Sequence, residues 1–185
     1  MKRNVLGWAV SRILRAVSTA LVYAGRPLLF ESLGRGCHFE GWVDVPQRGG
    51  SIRIGSRVHF CAGVSLTVLP GARLILEDGV FVGRGVVVSA HEEVRIGANT
   101  MLAEYVCIHD NDHAVGGERA FDPTAFVCAP VNVGRNCWIG AHAVLTRGAA
   151  LGDGSVLGAG AVLTNQMPEG ARAVGVPARN RAALD

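Results

Sequence analysis

Aromatic residues are scarce: they make up 6% of the 185 residues, while glycine alone numbers 25. That balance does not suit a helical bundle with large side chains at its seams; a narrow, repetitive β architecture fits it better. The five cysteines, Cys37, Cys61, Cys107, Cys128 and Cys137, are odd in number and show no CxxC spacing. Neither a disulfide framework nor a thiolate metal site follows, and reduced thiols in a cytoplasmic protein are expected. An unbroken membrane-length apolar run is also missing, because Arg12 and Arg15 interrupt the stretch from residue 5 to 24. Charges at bilayer depth are costly, and the same arginines break up the apolar centre that a cleaved signal peptide needs. Charge of either sign is modest, with a formal net of +3. Even that is local: residues 1–35 carry Lys2, Arg3, Arg12, Arg15, Arg26 and Arg35 against Glu31 alone, leaving the remainder slightly acidic. Nucleic acid is therefore not an expected partner.

The chain does have enough apolar residues, 49%, for one ordinary domain with a core. Read at helical spacing, residues 1–24 place Leu6, Val10, Ile13, Leu14, Val17 and Leu21 on one stripe, with Asn4, Ser11, Arg15 and Ser18 opposite. This predicts an amphipathic helix, which Gly25, Pro27 and Gly34 are expected to end. Two uses of the stripe are open: covering the end or side of the main domain, or peripheral contact with anionic lipid through residues 1–24, helped by the arginines and Trp8.

From about residue 36 a six-residue period takes over. VGRNCW, IGAHAV, LTRGAA, LGDGSV, LGAGAV and LTNQMP follow one another without a break from Val133 to Pro168. Upstream, the pattern returns as IGSRVH, FCAGVS and LTVLPG, then LEDGVF, VGRGVV and VSAHEE, then IGANTM, LAEYVC and IHDNDH. A period of six is neither that of a plain strand nor that of a helix, so each unit is a short strand plus a corner. Three units make a triangular coil, and coils stack by parallel hydrogen bonding at ~4.8 Å. The expected fold is therefore all-β, a left-handed parallel β-helix of hexapeptide repeats with an N-terminal amphipathic helix and an extruded loop. Its divisions are a helix and connector over 1–35, the β-helix over 36–168 with the loop at about 114–130, and a C-terminal tail over 169–185. Cys107 and Cys137 occupy free and small slots of the repeat, as small hydrophobes rather than catalytic thiols.

The loop begins at a cluster of polar residues, and long loops on rigid scaffolds commonly carry function. His113 ends a rung at the loop's mouth and suits a general base; His109, next to the coil, is the rival. Asp110, Asp112 and Glu104 are placed to orient or charge-stabilise a histidine, or simply to be solvated. Backbone N–H groups near Ala141 are natural oxyanion donors.

The segment from Val131, VNVGRNCWIGAHAVLTRGAALGDGSVLGAGAVLTNQMPEGARAVGVPARN, resembles the hexapeptide-repeat acyltransferases, within them the sugar O-acetyltransferase branch of galactoside, maltose and surface-polysaccharide acetyltransferases. The resemblance implies acetyl transfer from acetyl-CoA to a sugar hydroxyl, a homotrimer of side-by-side prisms and a cytoplasmic site of action, at the inner face of the membrane if the helix binds lipid. Along IGANTMLAEYVCIHDNDHA it places the catalytic histidine at His113. Trp138 matches the tryptophan lining the acceptor pocket, where Glu104 and Asp112 are also expected. Ala141 and Ala159 match positions holding the pantetheine arm, and Thr164 and Arg179 match contacts near the adenine nucleotide. Asn165 stands where the family usually has a lysine, and Gly83 where galactoside-type enzymes have a sugar-binding asparagine. No counterpart of the maltose branch's short N-terminal module is found.

Three other readings remain on the sequence: N-acetylation of a nucleotide-linked amino sugar, a non-catalytic structural β-helix, and a γ-class carbonic anhydrase-like zinc enzyme. The last rests on His91 and His109 lying one 18-residue coil apart, with His113 nearby. No resident metal is expected on the acetyltransferase reading.

Overall fold

The computed structural model describes residues 5–46, 49–116 and 122–181, and the side chains of these except at 5–12, 26 and 27. After one helix, α1 (Val5–Leu29), short strands stack in three parallel sheets that form the faces of a left-handed prism. The first face runs from Ser32–Leu33 to Gln166–Met167. The second runs from His38–Phe39 to Arg172–Val174 and closes with Arg179–Asn180, which turns back antiparallel. The third runs from Ser65–Val68 to Val162–Leu163.

Along each strand one side chain points inward and the next outward, so the hexad aliphatics form columns inside the prism. Phe39, Phe60, Val82, Leu102, Ile139, Leu157 and Ala173 form the second face's column, and Leu66, Val88, Ile108, Leu145 and Leu163 the third's; all are buried. The rings of Phe39 and Phe60 stack 4.9 Å apart near the N-terminal end. Corners are tight. At Gly85, with φ of +65°, an added Cβ would come within 2.6 Å of the Tyr105 ring on the next coil. Gly83 is equally constrained: a Cβ there would lie 2.6 Å from the Ala103 backbone. No side chain fits at that position, so none can reach an acceptor from it.

The coils are not uniform. Trp138 pairs with Val156, 18 residues on, but Phe81 pairs with Met101 and Ser89 with His109, each a 20-residue step. His109 therefore stacks on Ser89 rather than on His91, because four-residue strands such as Val87–Ala90 and Glu93–Ile96 lengthen the coil.

The helix departs from expectation at its C-terminal end, and its orientation bears on the two open uses of the stripe. It continues through Gly25 and Pro27 to Leu29, held by buried Val22 and Phe30 and by the Tyr23 hydroxyl, which donates to the Gly34 carbonyl at 2.8 Å and accepts from Cys37 N at 3.0 Å. Tertiary anchoring here outweighs local breaking tendency. The described side chains of its apolar stripe do not cover the prism. Ser18 and Thr19 face inward: Ser18 Oγ donates to Phe39 O at 2.5 Å and Phe39 N donates to Thr19 Oγ1 at 3.0 Å. These bonds satisfy backbone groups at the otherwise open edge of the second face. Ile13, Leu14, Val17 and Leu21 are left pointing away. The side chains of Leu6, Trp8 and Val10 lie outside the described residues.

Candidate active site

After Asp110 the chain leaves the prism and forms an antiparallel hairpin, Asn111–His113 with Phe126–Cys128, with His113 opposite Phe126. Residues 117–121 of the predicted 114–130 loop lie outside the described residues. The hairpin overhangs the third face and encloses a cleft of about 700 Å³ with Thr67, Ser89, His91, His109, Val144 and Thr146 on its walls and His113 and Phe126 at its rim.

One buried carboxylate organises this region. Asp110 is fully buried and accepts from His91 N at 2.7 Å, Glu92 N at 2.8 Å and Asn111 Nδ2 at 3.1 Å, while its carbonyl accepts from Ala129 N at 2.9 Å. It joins the corner at 91–92, the hairpin's exit and the hairpin's return. A second tether is exposed: Arg147 Nε donates to Asp112 at 2.9 Å. Asp112 lines the cleft, but this bond commits one of its carboxylate oxygens to Arg147.

His113 is exposed on the hairpin, its Nδ1 3.2 Å from the Asp122 carbonyl. A proton on Nδ1 donated there fixes the tautomer that carries the lone pair on Nε2. Its ring rests against Phe126 at 4.5 Å, and the other neighbour of that phenyl is the His91 ring at 4.4 Å. His91 has a buried Nδ1 with no hydrogen-bond partner, and burial lowers its pKa, only partly countered by Asp110. Burial also lowers the pKa of His109, with Asp110 and Asp112 opposing. Both are held toward the neutral form.

All three histidines line the cleft, yet their ring nitrogens do not gather as a ligand set. Among the described residues the group whose ligand atoms converge within 4.8 Å is Glu40, His59 and Cys61, on another face. The 18-residue stacking behind the zinc reading is replaced by the 20-residue step, which puts Ser89 beneath His109.

The other expected residues divide. Ala141 and Ala159 stand one above the other at the corner between the second and third faces, where Gly160 N donates to Ala141 O at 2.9 Å. Thr164 and Asn165 follow Leu163 at the opposite corner of the third face, both exposed. The two pairs flank the upper coils of the face whose lower coils carry the cleft. Arg179 lies on the terminal antiparallel strand of the second face. Trp138 is exposed on the second face between Met101 and Val156, and the same chain does not bring it to His113. Glu104 is likewise outside the cleft, at an exposed corner near Cys61. His142, with φ of 59°, stacks its ring on Tyr105. Thr67, Ser89, Thr146, Phe126 and Arg147 carry no motif; only the true coil length and the hairpin register would have found them.

Residues 130–165 match the family profile described as the hexapeptide repeat of succinyl-transferase. The chain is 37% identical to the galactoside O-acetyltransferase of Escherichia coli over 75% of its own length and 58% of that protein. It is 28% identical to WbbJ, named for lipopolysaccharide biosynthesis O-acetyl transfer in the same organism, over 82% of both chains. It spans 58% of the galactoside enzyme's length, and 48% of the length of a Mycobacterium tuberculosis relative, named a probable acetyltransferase, to which it is 29% identical. Among solved structures, AntD, an N-acyltransferase of Bacillus cereus in complex with dTDP and coenzyme A, superposes with a TM-score of 0.76 over 90% of this chain and 89% of that one, at 17% identity. That likeness is one of fold. The repeat, the prism and these relatives together make the chain similar to the hexapeptide-repeat acetyltransferases.

Proposed function

We propose that this protein transfers an acetyl group from acetyl-CoA to a sugar hydroxyl of a lipopolysaccharide, capsule or exopolysaccharide, in the cytoplasm at the inner face of the membrane. The observation that carries the reading is His113 at the rim of the cleft, its Nδ1 directed to the Asp122 carbonyl. In the reaction the acceptor O–H proton passes to Nε2 as the oxygen attacks the thioester carbonyl carbon. The tetrahedral intermediate collapses with cleavage of the C–S bond, and the imidazolium returns the proton to the departing thiolate. Backbone N–H groups at the rung corners serve the oxyanion. No covalent enzyme intermediate is required.

Acetyl-CoA is assigned to the third face, its pantetheine arm against Ala141 and Ala159 and its nucleotide end toward Thr164, Asn165 and Arg179. Trp138 then comes from a second copy, which makes the working unit a homotrimer with sites in the grooves between subunits. For the acceptor, the cleft offers hydroxyl, amide and imidazole groups, and no lysine or arginine lines it among the described residues. This supports an uncharged sugar over a nucleotide diphosphate sugar.

Incubation with acetyl-CoA and a panel of neutral oligosaccharides and nucleotide-linked amino sugars tests the reading. An alkali-labile acetyl ester on a neutral glycan is expected. An alkali-stable amide on a nucleotide sugar would replace it with the N-acyl reading.

A further inference from the structure

Helix α1 is turned inside out relative to an ordinary surface helix. Its polar residues Ser18 and Thr19 bond to Phe39 and, among its described side chains, only Val22 is fully buried, whereas Ile13, Leu14, Val17, Leu21 and Leu28 are between 51% and 69% exposed. Ala16, Ala20 and Ala24 fill the gaps between them and are exposed as well. The result is a continuous aliphatic arc along one side of a helix of 25 residues, roughly 37 Å long at 1.5 Å per residue. Contiguous apolar surface of this kind marks a contact site.

The charge of this segment identifies the partner. The helix contains no carboxylate; Arg12, Arg15 and Arg26 lie within it, Lys2 and Arg3 precede it, and Glu31 is the single acidic residue in the first 35. A second copy seated on the same arc would set two basic, carboxylate-free helices side by side. A spanning role is also closed, since no helix among the described residues is long and apolar enough to cross a membrane.

We infer that this outward arc is an interfacial membrane-docking surface, lying in the plane of an anionic lipid layer. The aliphatic side chains reach the acyl boundary and the basic residues meet the headgroups. The prism then stands on the membrane by its N-terminal end, because the opposite side of the helix closes that end. Docking stands on these observations alone; its use in reaching lipid-linked acceptors rests on the proposed acetyl transfer.

The full chain is to be sedimented with phosphatidylcholine vesicles, with and without phosphatidylglycerol. The wild-type protein is expected to bind the anionic vesicles, more weakly at high salt. The variant Leu14→Asp, Val17→Asp, Leu21→Asp is expected to lose at least about tenfold in affinity, with its thermal midpoint and CoA binding retained. Should that variant fold poorly, Lys2→Gln, Arg3→Gln, Arg12→Gln decides, since it leaves the arc intact and is expected to lower binding to anionic vesicles alone. Wild-type protein that stays in the supernatant, or variants that sediment like wild type, would overturn the inference. So would a fall in solution mass with the aspartate variant, which would make the arc a contact between copies.

Discussion

Replacing Asp110 tests whether the candidate site is held by one buried carboxylate. Its two oxygens accept from His91 N, Glu92 N and Asn111 Nδ2 at 2.7 to 3.1 Å, and its side chain is fully buried. Asp110→Ala leaves two backbone N–H donors without that acceptor. A hydrogen bond to a charged group contributes about 1.5–3 kcal/mol, so the substitution costs roughly 3–5 kcal/mol. At about 2–4 °C per kcal/mol for a chain of this size, the thermal midpoint falls by on the order of 10 °C. Asp110→Asn keeps one acceptor oxygen and is expected to lie between the two. Because the same carboxylate sets where the hairpin leaves the prism, acetyl transfer should drop further than the folded fraction explains. Circular dichroism melts with initial-rate assays on folded protein give both readings. An alanine variant that melts within a degree or two of wild type would refute the assignment.

Arg147→Ala removes the hairpin's exposed tether to Asp112, so stability is expected to change by no more than about 1 kcal/mol while kcat falls on the order of tenfold through misplacement of His113. Partial rescue by Arg147→Lys and a KM close to wild type would mark positioning; unchanged kcat would remove the tether from the account. Stability should also depend on pH through His91 and His109, whose folded pKa values are lowered by burial. The stability they contribute is fully present above the unfolded histidine value of about 6.5, and it is lost as the pH falls below that value toward their folded pKa values, because the unfolded chain binds protons that the folded one resists. Melts taken from pH 8 down to 5 should show a falling midpoint, flattened in His109→Asn; a midpoint that rises with acid would contradict the burial assignment.

The prism was legible because a hexad aliphatic such as Ile139, Leu145, Leu151 or Leu157 must point inward on a face one unit wide, and that constraint repeats visibly. Coil length was not. A strand of four residues and one of two read alike when corners also carry glycine, so the 20-residue steps that put His109 over Ser89 escaped the frame. The helix showed its periodicity but not its orientation: amphipathicity says which residues are alike, while Ser18 and Thr19 bonding to Phe39 decided which side faces the prism. His113 and His109 stood out as histidines beside a loop. Asp110, read as one of three acids that orient a histidine or are simply solvated, became the centre of the site only once it accepted from the backbone donors of residues 91 and 92. Trp138 was grouped with the site by family position and Glu104 by its charge, and neither signal carries the face of the prism on which the residue stands.

In the proposed mechanism His113, and not His109, takes the acceptor proton. Steady-state acetyl transfer by His113→Ala and His109→Ala, with CoA affinity measured in parallel, tests it most directly. The account predicts that His113→Ala lowers kcat by roughly 10²–10⁴-fold with CoA binding nearly unchanged, while His109→Ala costs on the order of tenfold or less. A His109→Ala enzyme that is the more damaged of the two, beside a His113→Ala enzyme retaining most of its activity, would contradict it and move the base to His109 on the cleft wall.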